Sequence, residues 1–99
     1  MPLLKALPNS YWEKTQQVVK LGTPDILGCL AGKFVAIELK DGDEKPTELQ
    51  IYNLQMILKA KGLSFVMNQS NFQEIIFALL NDSNTLLRKK SIDNVNSFL

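Results

Sequence analysis

The sequence predicts an α+β domain of the broader α/β class, a mixed β-sheet built around a central β-hairpin and flanked by helices. Three observations carry this. Two apolar segments, Ile26 to Leu30 and Phe34 to Leu39, flank Ala31-Gly32, the signature of paired antiparallel strands joined by a tight turn. A stretch of helical period opens at Thr47, closes near Gly62 and leads into the apolar run Leu63 to Met67, a strand-helix-strand crossover. The second hairpin segment also ends in Glu38-Leu39-Lys40, placing charge in an otherwise apolar strand.

Taken in order, residues 1 to 10 contain two prolines and read as an irregular or briefly helical lead-in. Tyr11 to Val19 is rich in β-formers and predicts a first strand. Gly22-Thr23-Pro24 is a turn, because proline fixes its own φ and pushes its predecessor out of helical space. The hairpin follows. Asp41 to Pro46 is a polar loop, and Thr47-Glu48-Leu49-Gln50 fits a capping box with Thr47 as N-cap and Gln50 at the third helical position.

The helix from Glu48 to about Lys61 carries Ile51, Leu54, Ile57 and Leu58 at core spacing. Leu49, Tyr52 and Met56 form a second stripe, so a helix buried on two sides is expected, with the second side covered by the C-terminal segment or a second subunit. Asn71 to Leu80 is an amphipathic helix that turns Phe72, Ile75, Ile76 and Leu79 inward. Leu86, Leu87, Ile92, Val95, Phe98 and Leu99 recur at roughly helical spacing in a tail expected to cap the core or embrace a partner.

Composition bounds the function. Ninety-nine residues, 45% apolar and 21% charged, make one soluble globular domain over residues 1–99. No apolar run approaches a membrane span and no signal-peptide plan is visible, so a cytoplasmic location is expected. The absence of histidine, with Cys29 the single cysteine, removes zinc sites, disulfides and every His-dependent hydrolytic mechanism. Carboxylate and lysine chemistry remain. Net charge of +1 is neutral on DNA binding, but lysines at positions 5, 14, 20 and 33 and the run Arg88-Lys89-Lys90 bracket an acidic centre. They read equally as a phosphate-binding face or a solvated mixed surface.

A two-residue hairpin loop sets Leu30 opposite Lys33 and, continuing outward in step, Asp25 opposite Glu38. Cβ atoms of such a pair lie about 4.5–5.5 Å apart, where like charges repel. Alternation puts Lys40 on the same face as Glu38 and turns Leu39 towards the core. Two hard oxygen donors beside an ammonium suit a magnesium site for phosphodiester chemistry. Packing does not explain a glutamate in an apolar strand opposite an aspartate, since burying unpaired charge is costly.

Gly-Thr-Pro24-Asp25, Glu38-Leu39-Lys40 and the downstream Thr47 to Gln50 together resemble the PD-(D/E)XK nuclease superfamily, and within it the virus-type replication-repair nuclease (VRR-NUC) domains. The similarity covers roughly Trp12 to Gly62. It implies a restriction-endonuclease-like core, with Asp25 and Glu38 holding Mg²⁺ or Mn²⁺ helped by the carbonyl of Leu39. It also implies that Lys40 orients water or stabilises developing charge and that Gln50 stands at the active-site rim. The capping box gives Gln50 a competing structural role. The family's N-terminal acidic residue has no clear equivalent here; Glu13 is the nearest candidate and reads better as a surface glutamate.

Stand-alone domains of this type look like phage or bacterial homodimeric endonucleases that resolve Holliday junctions or cut flaps. The expected function is accordingly a metal-dependent, structure-specific DNA endonuclease, with Lys14, Lys20 and Lys45 as backbone contacts and branched DNA as partner. A structure-independent nicking endonuclease and a non-catalytic nucleic-acid-binding module are the alternatives. Trp12, Tyr11 and Phe34 are expected in the core, Cys29 as a small core hydrophobe, and Lys14 on an edge strand.

Overall fold

A computed structural model describes residues 2–16 and 21–99. Eight elements follow one another: α1 (Pro2–Lys5), β1 (Ser10–Lys14), β2 (Ile26–Leu30), β3 (Lys33–Leu39), α2 (Glu48–Lys59), β4 (Leu63–Met67), α3 (Phe72–Asn81) and α4 (Asn84–Asn96). The strands form one mixed sheet in the order β1-β2-β3-β4, antiparallel except between β3 and β4. The α+β architecture with a central hairpin is as the sequence predicts. The first strand is shorter than the expected Tyr11 to Val19, and positions 17–19 of that expectation lie outside the described residues.

The hairpin closes through Ala31 (φ 49°) and Gly32 (φ 84°). Two successive left-handed residues make the turn whose twist matches paired strands. Pairing runs from Leu30↔Lys33 to Ile26↔Ile37, the register that a two-residue loop dictates. Trp12 lies opposite Gly28, and a Cβ there would collide with the indole, so glycine lets the ring pack flat on the sheet.

Strand alternation divides the core. On one face Ile26, Val35, Ile37, Leu63 and Phe65 pack with Leu4, Leu7 and Trp12, and with Ile75 and Leu79 of α3. On the other, Val66 packs under Ile51, Leu54 and Leu58 of α2 and under Val95 of α4. A helix about 10 Å wide spans roughly two strands spaced about 4.8 Å apart. Accordingly α2 packs on β3 and β4, and the row Tyr11, Cys29 and Phe34, paired across β1, β2 and β3, is exposed on this second face. This corrects the expectation that Tyr11, Phe34 and Cys29 are core residues; Trp12 is buried as expected. The second stripe of α2, Leu49, Tyr52 and Met56, is also exposed within this chain.

The C-terminal segment caps the core, the first of its two expected roles, and it does so at the open edge of β4. Arg88, Ser91 and Asn94 of α4 bond to the backbone of Gly62, Ser64 and Val66. Arg88 donates to the Gly62 carbonyl (3.2 Å), Ser91 both accepts from and donates to the Ser64 backbone (2.9 and 2.5 Å), and Asn94 does the same at Val66 (2.7 and 3.0 Å). Residues three apart on a helix and two apart on a strand each stay on one side, so side chains of α4 satisfy the edge as a fifth strand would. Buried backbone groups need such partners.

Candidate active site

The hairpin end away from its turn gathers the acidic residues. Asp25 stands just before β2, held by its carbonyl, which accepts from the Thr15 amide (2.8 Å), while Thr15 Oγ1 donates to the Pro24 carbonyl (2.6 Å). The Asp25 carboxylate reaches across the hairpin, where Oδ2 accepts from the Leu39 amide at 2.7 Å. Glu38 sits between Asp25 on one side and Val66 of β4 on the other, and is 2% exposed. Lys40 prolongs the β3–β4 pairing by one bond, its amide to the Met67 carbonyl at 2.9 Å. Its ammonium lies 3.7 Å from Glu38 Oε2.

The electrostatics follow from this placement. Burial pushes the Glu38 carboxyl from the usual 4.5 up to about 8, and the Asp25 charge and a hydrogen bond with Asp25 push in the same direction; Lys40 opposes them. The other oxygen, Oε1, is buried without a donor of its own among the described residues. The two facts agree if a proton is shared between the carboxyls: with both ionised Oε1 has no donor, and with one proton between them the pair is bonded. A divalent cation could replace that proton. Mg²⁺ characteristically takes one or two carboxylates and fills its octahedron with water and phosphate, so this donor set fits it. Among the described residues, no cluster of three His, Cys, Asp or Glu side chains is present, and Asp25 and Glu38 are the carboxylates available here.

Leu39 is a correction in burial alone. It lies on the core side, opposite Met67 and on the face of Ile37, but is 41% exposed, because β3 reaches the sheet rim there. With Asp25, Lys14 and Thr15 it lines a concavity beside the carboxylates. Lys14 thus comes to the site from edge strand β1, whereas Lys45 is exposed in the loop before α2 and Lys20 lies outside the described residues. Gln50 completes the capping box, its Oε1 accepting from the Thr47 amide (2.8 Å) and its amide donating to Thr47 Oγ1 (3.2 Å). Its side-chain oxygen serves the helix terminus. Glu13 is exposed and accepts from the Tyr11 hydroxyl, as a surface glutamate.

Each side chain of the run Arg88-Lys89-Lys90 has a partner within the chain. Arg88 is bound to the Leu58 and Gly62 carbonyls, Lys89 pairs with Asp93 (3.3 Å) and Lys90 with Asp82 (2.6 Å). Sequence reasoning also missed Gln69, which clips the loop after Lys40. It accepts from the Gly42 amide (2.8 Å) and donates to Asp41 Oδ1 (3.3 Å). No periodicity or motif marks Gln69, since the contact joins two loops brought together by the parallel β3–β4 pair.

Fold and site together define an α+β domain with a buried glutamate beside a half-buried aspartate and a lysine at one sheet rim. No protein-family model, curated protein or solved structure matches this chain. Among the described residues no helix is long and apolar enough to cross a membrane.

Proposed function

We propose that this chain is a Mg²⁺- or Mn²⁺-dependent DNA endonuclease with a restriction-endonuclease-like core of the VRR-NUC type, acting on branched DNA as a homodimer. The observation that carries the proposal is Glu38. A carboxyl buried in a strand beside a second carboxyl costs the fold stability as it ionises and has no packing role. A bound cation would relieve that cost. The hairpin, the following helix and the parallel strand support the proposed core.

A bound divalent cation lowers the pKa of a coordinated water and offsets charge building on phosphate. Asp25 and Glu38 are the residues to hold it, with the Leu39 carbonyl as a further oxygen donor. The Leu39 amide fixes the Asp25 carboxylate, so one ligand is oriented before any ion arrives. Lys40, held near Glu38, is placed to orient water or stabilise the charge developing at phosphorus. Lys14 at the concave rim, with Lys20 and Lys45, would contact the DNA backbone, and Gln50 contributes through the helix terminus it caps. The dimer rests on the uncovered apolar surface: Tyr11, Cys29 and Phe34 on the sheet beside Tyr52 and Met56 on α2. A two-fold pair would present two sites to a four-way junction.

The test is cleavage of a labelled four-way junction, with linear duplex and flap controls, in magnesium or manganese. Symmetric junction cuts that vanish in Glu38→Ala and in folded Lys40→Ala support the resolvase. Equal cutting of all substrates leaves a structure-independent nicking endonuclease. No cutting in either metal by the folded protein refutes catalysis. The third acid missing from the described residues favours the non-catalytic nucleic-acid-binding module in that event. A monomer at high micromolar concentration in sedimentation would refute the dimer.

A further inference from the structure

We propose that Gln69 is a positioning residue for Lys40, holding the end of β3 so that the ammonium stays beside Glu38; this rests on the nuclease reading above and deepens it. The backbone ladder between β3 and β4 closes with the Lys40 amide donating to the Met67 carbonyl at 2.9 Å. In a parallel ladder the next bond from β3 would run from the Gly42 amide to the Gln69 carbonyl, two residues further along both chains. The Gly42 amide does meet Gln69, but it donates to the side-chain Oε1, at 2.8 Å. The side chain of Gln69 thus stands in for its own backbone and adds a rung in register after the strands have parted. Lys40 becomes an inner rung instead of the last one, where ladders fray.

A second bond stiffens the clip. Gln69 Nε2 donates to Asp41 Oδ1 at 3.3 Å, so the two residues after Lys40 are both tied to one glutamine. Gly42 takes φ 52° there, and a Cβ on it would meet open space, so glycine serves the left-handed turn and not a close contact. The other side of the clip is itself fixed: the Asn68 amide donates to Asn71 Oδ1 (2.8 Å), and Asn68 Oδ1 accepts from the amides of Ser70 and Asn71 (2.9 and 3.1 Å). Gln69 and Asp41 border an apolar cavity of about 320 Å³ walled by Ile26, Leu39 and Met67, on the sheet face opposite Glu38. Gln69 therefore acts from behind the sheet, through Lys40 and not on the substrate itself. What it controls is distance. The Lys40 ammonium lies 3.7 Å from Glu38 Oε2, and misplacing a reacting group by about 1 Å can cost roughly a hundredfold in rate.

The test is a donor–acceptor swap read by kinetics. Gln69→Ala should lower kcat for junction cleavage in magnesium roughly ten- to hundredfold and leave KM for the DNA within about twofold, because Lys40 serves the chemical step and not strand binding. A change confined to KM, or no change, overturns the inference. Gln69→Glu alone sets two carboxylates together and should lower kcat likewise. Adding Asp41→Asn reverses donor and acceptor between the two side chains, keeps the acceptor for the Gly42 amide and restores the net charge, so kcat should return to within about threefold of wild type. A folded double variant that does not recover overturns the inference, and this pair decides if Gln69→Ala fails to fold. Amide hydrogen exchange by NMR, without metal or DNA, separates the two readings. The Lys40 amide should exchange about tenfold faster in Gln69→Ala, the worth of about one hydrogen bond, with amides in the middle of the sheet unchanged. Wild type that cuts no substrate while the variant shows this acceleration sinks the nuclease reading alone. Cleavage by wild type, with kcat and Lys40 exchange unchanged in Gln69→Ala, sinks this inference alone.

Discussion

Replacing Glu38 by Gln keeps the shape of the side chain and removes its titration, which exposes what the buried carboxyl does to the metal-free fold. In the unfolded chain this carboxyl ionises near 4.5, and in the folded chain near 8. Between those values the folded state holds a proton that the unfolded state has released. Stability from that proton is complete below about 4.5 and is lost as pH rises through about 8. At about 1.4 kcal/mol per pH unit the full span is worth roughly 4–5 kcal/mol, a large part of the ~5–15 kcal/mol typical of a domain.

Urea unfolding in EDTA at pH 5, 6, 7 and 8 measures the difference for the Glu38 cluster, because titrating groups away from Glu38, Asp25 and Lys40 cancel between wild type and Glu38→Gln. The stability of Glu38→Gln relative to wild type should rise by about 1 kcal/mol per pH unit across that range. Manganese should then restore the wild type and leave Glu38→Gln unaffected, with affinity rising as the proton leaves. A difference independent of pH would mean that Glu38 ionises as an ordinary glutamate, and the argument for a desolvated site awaiting a cation would fail.

Three further perturbations test the scaffold. Ser91→Ala strands the buried amide and carbonyl of Ser64 and should cost about 2–4 kcal/mol in urea unfolding; a cost below 1 kcal/mol would mean that water replaces the hydroxyl. Gly28→Ala drives a methyl into the Trp12 indole and should destabilise by about 1–3 kcal/mol with altered tryptophan emission, whereas unchanged emission and stability would refute the flat packing. Gln50→Ala should lower stability by about 0.5–1 kcal/mol through the lost capping box, and Gln50→Glu should preserve it. Cleavage lost in Gln50→Glu at unchanged stability would then give the carboxamide a role beyond the cap.

Much of the fold was legible because its signals are local. The hairpin register follows from the length of its loop, since a period of two leaves one phase in which Ile26 and Ile37 face the same core. The capping box, the start of α2 and the span of β4 rest on residues a few positions apart. The opposition of Asp25 and Glu38 came from the same arithmetic, carried one pair beyond the ladder. What misled was exposure. Leu39, Tyr11, Phe34 and Cys29 have core-like side chains, yet one lies at the rim and three in a row on a face that α2 covers only in part. The partners of Arg88-Lys89-Lys90 were illegible for the converse reason, since charge in a sequence gives no sign of the carbonyls and carboxylates awaiting it.

By itself, then, the sequence determined the strands and helices, the phase of the hairpin and the pairing of two carboxylates beside a lysine. All of these are set by the chain's own steric periods and short-range hydrogen bonds. The tertiary structure alone decided how deeply Glu38 is buried and how α4 seals the edge of β4. It likewise decided that Gln69 clips the loop behind Lys40 and that a cavity opens on the opposite face of the sheet. These depend on contacts between segments far apart in the chain, where burial, and with it the cost of charge, is fixed by everything packed around a residue instead of by its neighbours in sequence.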